Sequence, residues 1–382
     1  MDAFEFATAG RVMFGAGRSA ELPGLLARYG SRVLACTGAS PDRHADLLAR
    51  LGLPTAVFPV AGEPTVDLAR AAAAAAREHR ADVVAAIGGG SVIDTAKAAA
   101  MLLGNGGDPL DYLEVIGAGR PITRPSAPCV AVPTTAGTGA EVTANAVLAS
   151  PADRLKASLR SATMIPRVAL VDPLLTVSGP AAVTAASGMD ALTQCLEPFV
   201  SPRASPLSDA VAREGIRRAA AGLRRAYADG TDVAARADMA VASVAGGMAL
   251  ANAKLGAVHG LAGVLGGTVA VPHGAACAAL LAPVAEANVA ALRAGPPRHP
   301  ALARYAEAAA LLTGDPGATV EDGIAWVRAT VALLAIPRLG AYGLAPEGFA
   351  EVAAQALRSS SMQGNPVALT ARDLTEILAR AV

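Results

Sequence analysis

Residues 82–97 read Asp-Val-Val-Ala-Ala-Ile-Gly-Gly-Gly-Ser-Val-Ile-Asp-Thr-Ala-Lys. The first six residues form an apolar run that predicts a buried β-strand, and the glycines and serine after it open a helix. Because glycine has no Cβ, backbone N–H groups at this helix N-terminus can approach a phosphate closely. The spacing matches neither GxGxxG nor GxxxxGK[ST], so a glycine-rich turn without a ligand is the alternative.

Strands and helices alternate around this unit. Short apolar runs predict further strands at residues 32–36, 56–60, 129–132 and 168–171. Two more runs, 144–148 and 156–159, predict a hairpin with a polar tip at 151–154. The alternation predicts an α/β fold with a parallel sheet whose ligand site lies at the carboxyl ends of the strands.

Strand patterns stop near residue 180, and the remaining chain shows the hydrophobic period of helices. We therefore predict two domains. Residues 1–180 form an α/β dinucleotide-binding domain, and residues 181–382 form an all-α helical domain. A cofactor and a substrate are expected to meet in the cleft between them.

Composition restricts the class of protein and its partners. The 382 residues contain 32 Lys and Arg and 32 Asp and Glu, so a nucleic acid or an anionic membrane surface is not expected as a partner. Hydrophobic residues make up 53% and charged residues 17%, which is typical of a globular protein with a large core. Apolar stretches end before the roughly 20 residues of a membrane helix, so no transmembrane span is predicted.

The N-terminus and the cysteines predict a cytoplasmic protein. Two acidic residues stand where a secretory signal would carry a basic region. The four cysteines are far apart, in apolar contexts and without a CxxC pair, which predicts reduced thiols in the core.

A second loop of small residues follows the predicted strand at 129–132. It runs from Pro133 to Glu141 and contains Thr134, Thr135 and Thr138. Their hydroxyl groups can hydrogen-bond a phosphate, a ribose or a carboxamide without adding charge. Two such loops at strand ends favour a nucleotide site.

The second half contains a set of potential metal ligands. Asp190 and Gln194 are one turn apart on a predicted helix. His259 and His273, two of only five histidines, lie in a mainly apolar segment without charged residues between them. One carboxylate and two imidazoles form the ligand set of a catalytic Zn²⁺ or Fe²⁺ ion. Hydrogen-bonded core histidines are the alternative.

Four stretches resemble the iron-containing (group III) alcohol dehydrogenase family, in order and in spacing: residues 88–97, 133–141, 188–193 and 256–274. The resemblance implies a nicotinamide cofactor, NAD(P), a divalent metal ion, and a small aldehyde, ketone or alcohol as substrate. It also implies the two domains predicted above. Dimers are common in the family, so a homodimer is expected by analogy.

The resemblance also implies roles for individual residues. The cofactor pyrophosphate and the neighbouring ribose are expected at Gly89, Gly90, Ser91 and Asp94. The phosphates and the nicotinamide are expected along Thr134, Thr135 and Thr138. The metal ligands are expected to be Asp190, His259 and His273, with Gln194 at the position of the fourth. The catalytic residues are expected to be His259, His273 and Lys156.

Three positions depart from the family pattern. Gln194 replaces the histidine that is the fourth metal ligand, and an amide oxygen is a poorer ligand than imidazole for Zn²⁺ or Fe²⁺. Gly263 replaces a histidine that usually relays the alcohol proton. Val367 replaces an arginine. The changes leave open whether the metal is iron, zinc or absent.

Gly38 and Ser40 predict which cofactor is accepted. NAD-preferring relatives place an aspartate directly after the threonine of the first strand, where it binds the adenosine ribose. Gly38 at this position does not exclude a 2′-phosphate, while Ser40 and Arg43 can bind one. NADP(H) is therefore expected to be accepted. Alternatively, Gly38 only permits a turn and Arg43 points to solvent.

Three other functions remain open from the sequence. A metal-independent keto-acid reductase of the maleylacetate type would use His259 and His273 as hydrogen-bond donors to the substrate oxygen. A lyase similar to dehydroquinate synthase would use the cofactor only transiently. A cofactor-binding protein would have lost catalysis.

Overall fold

The structure, a computed structural model, describes residues 3–153, 155–269, 271–296 and 298–382. Arg154, at the predicted hairpin tip, lies outside the described residues. The chain divides into two compact units. One unit comprises residues 8–135 and 139–177, and the other comprises the N-terminus up to Ala7, residues 136–138 and residues 178–382.

The strands of the first unit are β1 (Val12–Phe14), β2 (Val33–Gly38), β3 (Thr55–Val60), β4 (Val83–Gly88), β5 (Cys129–Pro133), β6 (Asn145–Ser150), β7 (Leu155–Arg160) and β8 (Val168–Val171). Six of them form a sheet in the order β1-β8-β5-β4-β2-β3, in which all neighbouring strands are parallel. The other two, β6 and β7, form an antiparallel hairpin. The α/β fold class with a parallel sheet is confirmed.

Both faces of this sheet are covered, which explains why its central strands are apolar throughout. Successive side chains of a strand point to opposite faces. Val83 packs with α1 residues such as Leu26, whereas Val84 packs with residues of α3 and α4 such as Ala72 and Ala96. The helices of this unit are α1 (Leu22–Tyr29), α2 (Ala45–Ala49), α3 (Val66–Glu78), α4 (Gly90–Asn105) and α5 (Pro109–Tyr112).

The second unit is helical in its described part, as predicted, and has one large core. Its helices are α6 (Ala181–Val200), α7 (Pro206–Ala228), α8 (Val233–Ala253), α9 (Ala257–Thr268), α10 (His273–Ala294), α11 (Pro300–Thr313), α12 (Val320–Leu333), α13 (Phe349–Ala356) and α14 (Ala371–Ala381). Alanine and leucine dominate the buried positions. Phe199 and Phe349 are the aromatic residues among the buried positions of this core, so small aliphatic side chains supply most of the close packing between the helices.

Glycines bring the backbones of α6, α7 and α8 together. A Cβ at Gly222 in α7 would lie 2.9 Å from the carbonyl oxygen of Ala235 in α8. A Cβ at Gly246 in α8 would lie 3.1 Å from the carbonyl oxygen of Ala191 in α6. These spaces are too small for a larger residue. The position of α6, which carries Asp190, is thus fixed by direct contact with its neighbours.

Two helices of this unit, α8 and α10, are long and apolar enough to cross a membrane by length and composition alone. Within each tested window, 61% of α8 and 67% of α10 is buried inside the protein. Core helices of soluble proteins meet the same criterion, so the two helices are weak indicators of a membrane span.

Candidate active site

Three neighbouring strand ends bring the predicted cofactor residues of the first unit together. β4 lies between β2 and β5, so Gly38 at the end of β2, Gly89 after β4 and Thr134 after β5 are at the ends of adjacent strands. The Thr134 N–H donates to the Gly88 carbonyl oxygen at 3.0 Å, and a Cβ at Gly89 would lie 3.0 Å from Thr135 Oγ1. The two loops predicted to form a nucleotide site are therefore in contact, at the carboxyl edge of the sheet.

The N-terminus of α4 has the features of a phosphate site. Gly89 is the N-cap residue, no side chain caps this end, and the first turn contains no acidic residue. Gly90 and Ser91 are half-buried beside it. A Cβ at Gly88 would clash with the Val92 side chain, so only glycine fits at the first of the three glycine positions. The residues fit the pyrophosphate of a dinucleotide, because its oxygens would accept hydrogen bonds from the first N–H groups of the helix, which have no partner within the helix.

Asp94 and Lys97 form an ion pair inside this unit. Asp94 Oδ1 lies 3.1 Å from Lys97 Nζ, and Asp94 Oδ2 accepts a hydrogen bond from the Val147 N–H at 3.0 Å. Lys97 is fully buried and also donates to the Ala140 carbonyl at 2.9 Å and to Thr143 Oγ1 at 3.0 Å. Both oxygens of Asp94 thus have protein partners, and its contact with the cofactor stays a prediction.

The other predicted residues are dispersed. Lys156 lies on β7, where its Nζ is 2.9 Å from Glu63 Oε2, and its catalytic role stays a prediction. Ser40 and Arg43 are exposed near the end of β2. Thr138 groups with the helical unit, whereas Thr135 belongs to the first unit.

Glu141, in the threonine-containing loop, is buried, and its Oε1 has no hydrogen-bond partner in the described part of the chain. Burial raises its pKa to about 7. The protonated form is therefore favoured in the folded protein up to neutral pH. In the unfolded chain the same group ionises near pH 4.5.

This difference predicts a pH-dependent stability. The contribution of Glu141 is fully present below about pH 4.5, falls as the pH rises towards 7, and is lost above that, a change of about 3 kcal/mol. Urea unfolding between pH 4.5 and 8 should show a smaller decline for Glu141→Gln than for the wild type. Glu78→Gln, at an exposed site on α3, is the control. Parallel wild-type and Glu141→Gln curves would contradict the assignment.

The helical unit brings Asp190, His259 and His273 together, as the sequence predicts. His259 Nε2 lies 3.3 Å and His273 Nε2 3.7 Å from Asp190 Oδ1. Asp190 and His259 are buried, whereas the His273 side chain is 33% exposed. A fourth donor, Cys277 Sγ, belongs to the same cluster, and the four ligand atoms lie within 4.8 Å of one another. The donor set fits a divalent metal ion.

Glu197 orients His259. Its Oε2 lies 2.6 Å from His259 Nδ1, and its Oε1 accepts a hydrogen bond from the Val258 N–H at 2.7 Å. A carboxylate on Nδ1 favours the tautomer whose Nε2 lone pair is free to bind a metal. Glu197 lies on α6, seven residues after Asp190, so this helix supplies one expected ligand and also supports another, His259 on α9.

The charges in the cluster shift one another's ionisation. Burial opposes ionisation of Asp190, but the charge of His273 and the hydrogen bond with His259 lower its pKa to about 2. Burial also opposes the thiolate of Cys277, yet the two histidines lower its pKa below the usual value. Asp190 and Cys277 thus ionise more readily than burial alone would allow, and ionised carboxylates and thiols are the forms that bind a metal ion.

Gln194 contacts the cluster through Asp190. A hydrogen bond from its side-chain amide contributes to the low pKa of Asp190. Its Oε1 is buried and has no hydrogen-bond partner among the described residues. The prediction that Gln194 is itself a metal ligand stays a prediction.

Sequence reasoning missed Cys277, which it placed among the core thiols. All four cysteines are indeed buried and free. The missed signal was its spacing of four residues from His273, which puts both side chains on one face of α10.

Comparison with known proteins identifies the family. Residues 9–173 match the family model "Iron-containing alcohol dehydrogenase", and residues 184–382 match "Fe-containing alcohol dehydrogenase family, C-terminal". The 1,3-propanediol dehydrogenase of Klebsiella pneumoniae is 39% identical over 65% of this chain and 63% of its own length. The NAD-dependent methanol dehydrogenase of Bacillus methanolicus is 33% identical over 87% of this chain and 85% of its own length.

A solved structure of a 1,3-propanediol oxidoreductase has the same fold. It covers 100% of both chains with a TM-score of 0.91 and 32% identity. These relatives are alcohol–aldehyde oxidoreductases, so neither the keto-acid reductase nor the lyase is favoured. The chain belongs to the iron-containing alcohol dehydrogenase family of oxidoreductases.

Proposed function

We propose that this protein is an NAD(P)-dependent dehydrogenase that interconverts a small primary alcohol and its aldehyde with the help of a metal ion. The observation that carries the proposal is the cluster of Asp190, His259 and His273, two of them buried and one partly exposed. The named activities of the propanediol and methanol dehydrogenase relatives support the substrate class.

When bound, a divalent metal supplies Lewis-acid polarisation of the substrate oxygen, and the nicotinamide ring supplies or accepts hydride. Asp190, His259 and His273 would hold the metal, and Glu197 keeps the His259 ring in orientation. The exposed side of His273 leaves access for a small substrate. The glycines and Ser91 at the start of α4 would hold the cofactor pyrophosphate.

The proposal is tested by following NAD(P)H absorbance with a panel of alcohols and aldehydes, in parallel with elemental analysis of the purified protein. We expect turnover of C1–C4 primary alcohols or their aldehydes, and its loss after chelation with recovery on adding metal. Turnover that is unaffected by complete metal removal would favour the metal-independent reductase. Nicotinamide cofactor binding without net oxidation or reduction of any substrate would favour a lyase or a non-catalytic protein.

Cofactor preference gives a separate prediction. A Cβ at Gly38 meets no atom within 4 Å, so an aspartate fits there. We expect wild type to use NADPH at least as well as NADH, and Gly38→Asp to lower kcat/KM for NADPH about tenfold, because the carboxylate repels the 2′-phosphate. The neutral Gly38→Asn controls for size. A wild type that strongly prefers NADH and is unchanged by the aspartate would refute the prediction.

The absence of a histidine at position 263 to relay the alcohol proton gives a prediction about the direction of the reaction. A Cβ at Gly263 would also meet no atom within 4 Å, so a side chain can begin there without a clash. We expect wild type to reduce aldehydes better than it oxidises alcohols, and Gly263→His to raise kcat for alcohol oxidation at least about tenfold. Gly263→Gln is the control, since it adds a polar side chain that cannot relay protons near neutral pH. Equal kcat for both variants, if both are folded, would count against a relay.

The remaining parts of the proposal concern assembly and location. We propose a homodimer by analogy with the family and a cytoplasmic location, which agrees with four free thiols. Light scattering of the purified protein tests the first part, and fractionation of the source cells tests the second.

A further inference from the structure

Cys277 contacts the metal ligands through its sulfur. It lies one turn after His273 in α10 and is fully buried. Its Sγ is 3.8 Å from His273 Nε2, 3.9 Å from His259 Nε2 and 3.7 Å from Asp190 Oδ1. The sulfur thus lies at similar distances from all three expected ligand atoms.

These distances match a tetrahedral site. An ion with bonds of roughly 2.0–2.1 Å to nitrogen or oxygen and 2.3 Å to sulfur holds its ligand atoms about 3.3–3.6 Å apart. The Asp190–histidine distances of 3.3 and 3.7 Å and the three sulfur distances are within a few tenths of an ångström of these values. Five of the six distances between ligand atoms are thus close to tetrahedral values, and all four atoms lie within 4.8 Å of one another.

Gln194 stands where the resemblance places the fourth ligand. Its amide group hydrogen-bonds Asp190, so the residue already has a role beside the carboxylate. A neutral amide oxygen binds Zn²⁺ or Fe²⁺ less well than a thiolate binds Zn²⁺. Cys277 therefore offers the stronger fourth donor.

We propose that Cys277 is a direct metal ligand and that, with Asp190, His259 and His273, it forms a site selective for Zn²⁺ over Fe²⁺. The inference rests on the metal-dependent function proposed above. Thiolate ligands favour zinc, and catalytic zinc can expand to five ligands to accept a substrate oxygen. On binding, the thiol forms a metal–sulfur bond and its proton passes to solvent.

Cobalt substitution tests the bond directly. The full-length protein is stripped of metal and titrated with Co²⁺, which gives a near-ultraviolet sulfur-to-cobalt charge-transfer band only when a thiolate is bound. We expect this band in wild type, its loss in Cys277→Ser, and visible cobalt bands in both, since the other three ligands remain. Cys195→Ser, at a buried cysteine on α6 whose thiol contacts the Ala242 carbonyl, should keep the band.

Two further measurements test the choice of metal and the metal–sulfur bond. Competition with a chelating dye should show Zn²⁺ affinity at least tenfold lower in Cys277→Ser, with Fe²⁺ affinity changed less. X-ray absorption of the zinc-loaded wild type should show one sulfur at about 2.3 Å from the zinc, and this result does not depend on any variant.

The inference would be overturned if X-ray absorption showed only nitrogen and oxygen bound to the zinc, or if the charge-transfer band persisted in Cys277→Ser. Loss of Zn²⁺ affinity in Gln194→Ala with none in Cys277→Ser would assign the fourth ligand to Gln194 instead.

The inference and the proposed function fail in different ways. A cobalt–sulfur band in a protein without dehydrogenase activity would leave Cys277 as a ligand and refute the proposed function. Metal-dependent dehydrogenase activity in a protein without a metal–sulfur bond would support the proposed function and refute Cys277 as a ligand.

Discussion

Replacing His259 by alanine is expected to lower alcohol oxidation and aldehyde reduction on the order of 10³-fold, and to remove most of the bound metal. The side chain is a proposed ligand, and Lewis-acid stabilisation of the developing alkoxide lowers the activation free energy by several kcal/mol. Because each tenfold change in rate corresponds to about 1.4 kcal/mol, losing this stabilisation accounts for an effect of that size. Steady-state kinetics and elemental analysis of the same samples measure both effects.

The control is His79→Ala, at a histidine that follows α3 in the first unit and lies 3.1 Å from the Pro54 carbonyl oxygen. It should keep both metal and activity. The removed ring also leaves Glu197 Oε2 without its partner, so circular dichroism must show that His259→Ala is folded. A folded His259→Ala protein with normal turnover would exclude the metal mechanism.

Replacing Lys97 by methionine is expected to destabilise the protein by about 3–5 kcal/mol, because it leaves the partly buried carboxylate of Asp94 without its cation. Burial already raises the pKa of Asp94 despite Lys97, so the unpaired group is costly to keep ionised. Urea unfolding at pH 7 measures the loss. The double variant Asp94→Asn/Lys97→Met should recover a large part of it, since the charge is then absent.

The matched control is Lys254→Met, because Lys254 is exposed and its Nζ donates a hydrogen bond to Gln363 Oε1 at 3.2 Å. Its stability should change by less than about 1 kcal/mol. If Lys97→Met were as mild as Lys254→Met, the buried ion pair would not contribute as described.

Much of the fold follows from local sequence patterns. The run Val83–Gly88 is apolar on both faces, and this predicts a covered parallel strand. The edge strand Val12–Phe14 was not predicted, since three residues carry too little periodicity. Strand order was not predictable either, because it depends on contacts between residues far apart in the sequence.

The site was predictable where spacing limits the geometry. The loop at residues 88–91, which is predicted to bind phosphate, follows a single strand. Asp190 and the two histidines were predicted to form a cluster from their residue types and apolar surroundings. The hydrogen bond between Asp94 and the Val147 N–H and the ion pair between Asp94 and Lys97 were not predicted, because the hydrogen bond depends on β6 packing beside α4. Cys277 was missed for another reason: buried free cysteines are common in cores, so its residue type alone gave no signal.

The glycine contacts between α6, α7 and α8 limit how this enzyme can adapt to new substrates. Substitutions at Gly222 or Gly246 would push helix backbones apart and shift α6 with them, so selection for altered specificity should seldom retain them. A Cβ at Gly263 would instead meet no atom within 4 Å, so a library of variants can place side chains there without pushing the helix backbones apart at the Cβ. Laboratory evolution is therefore expected to accumulate changes around residue 263 and to leave the three-helix contact unchanged.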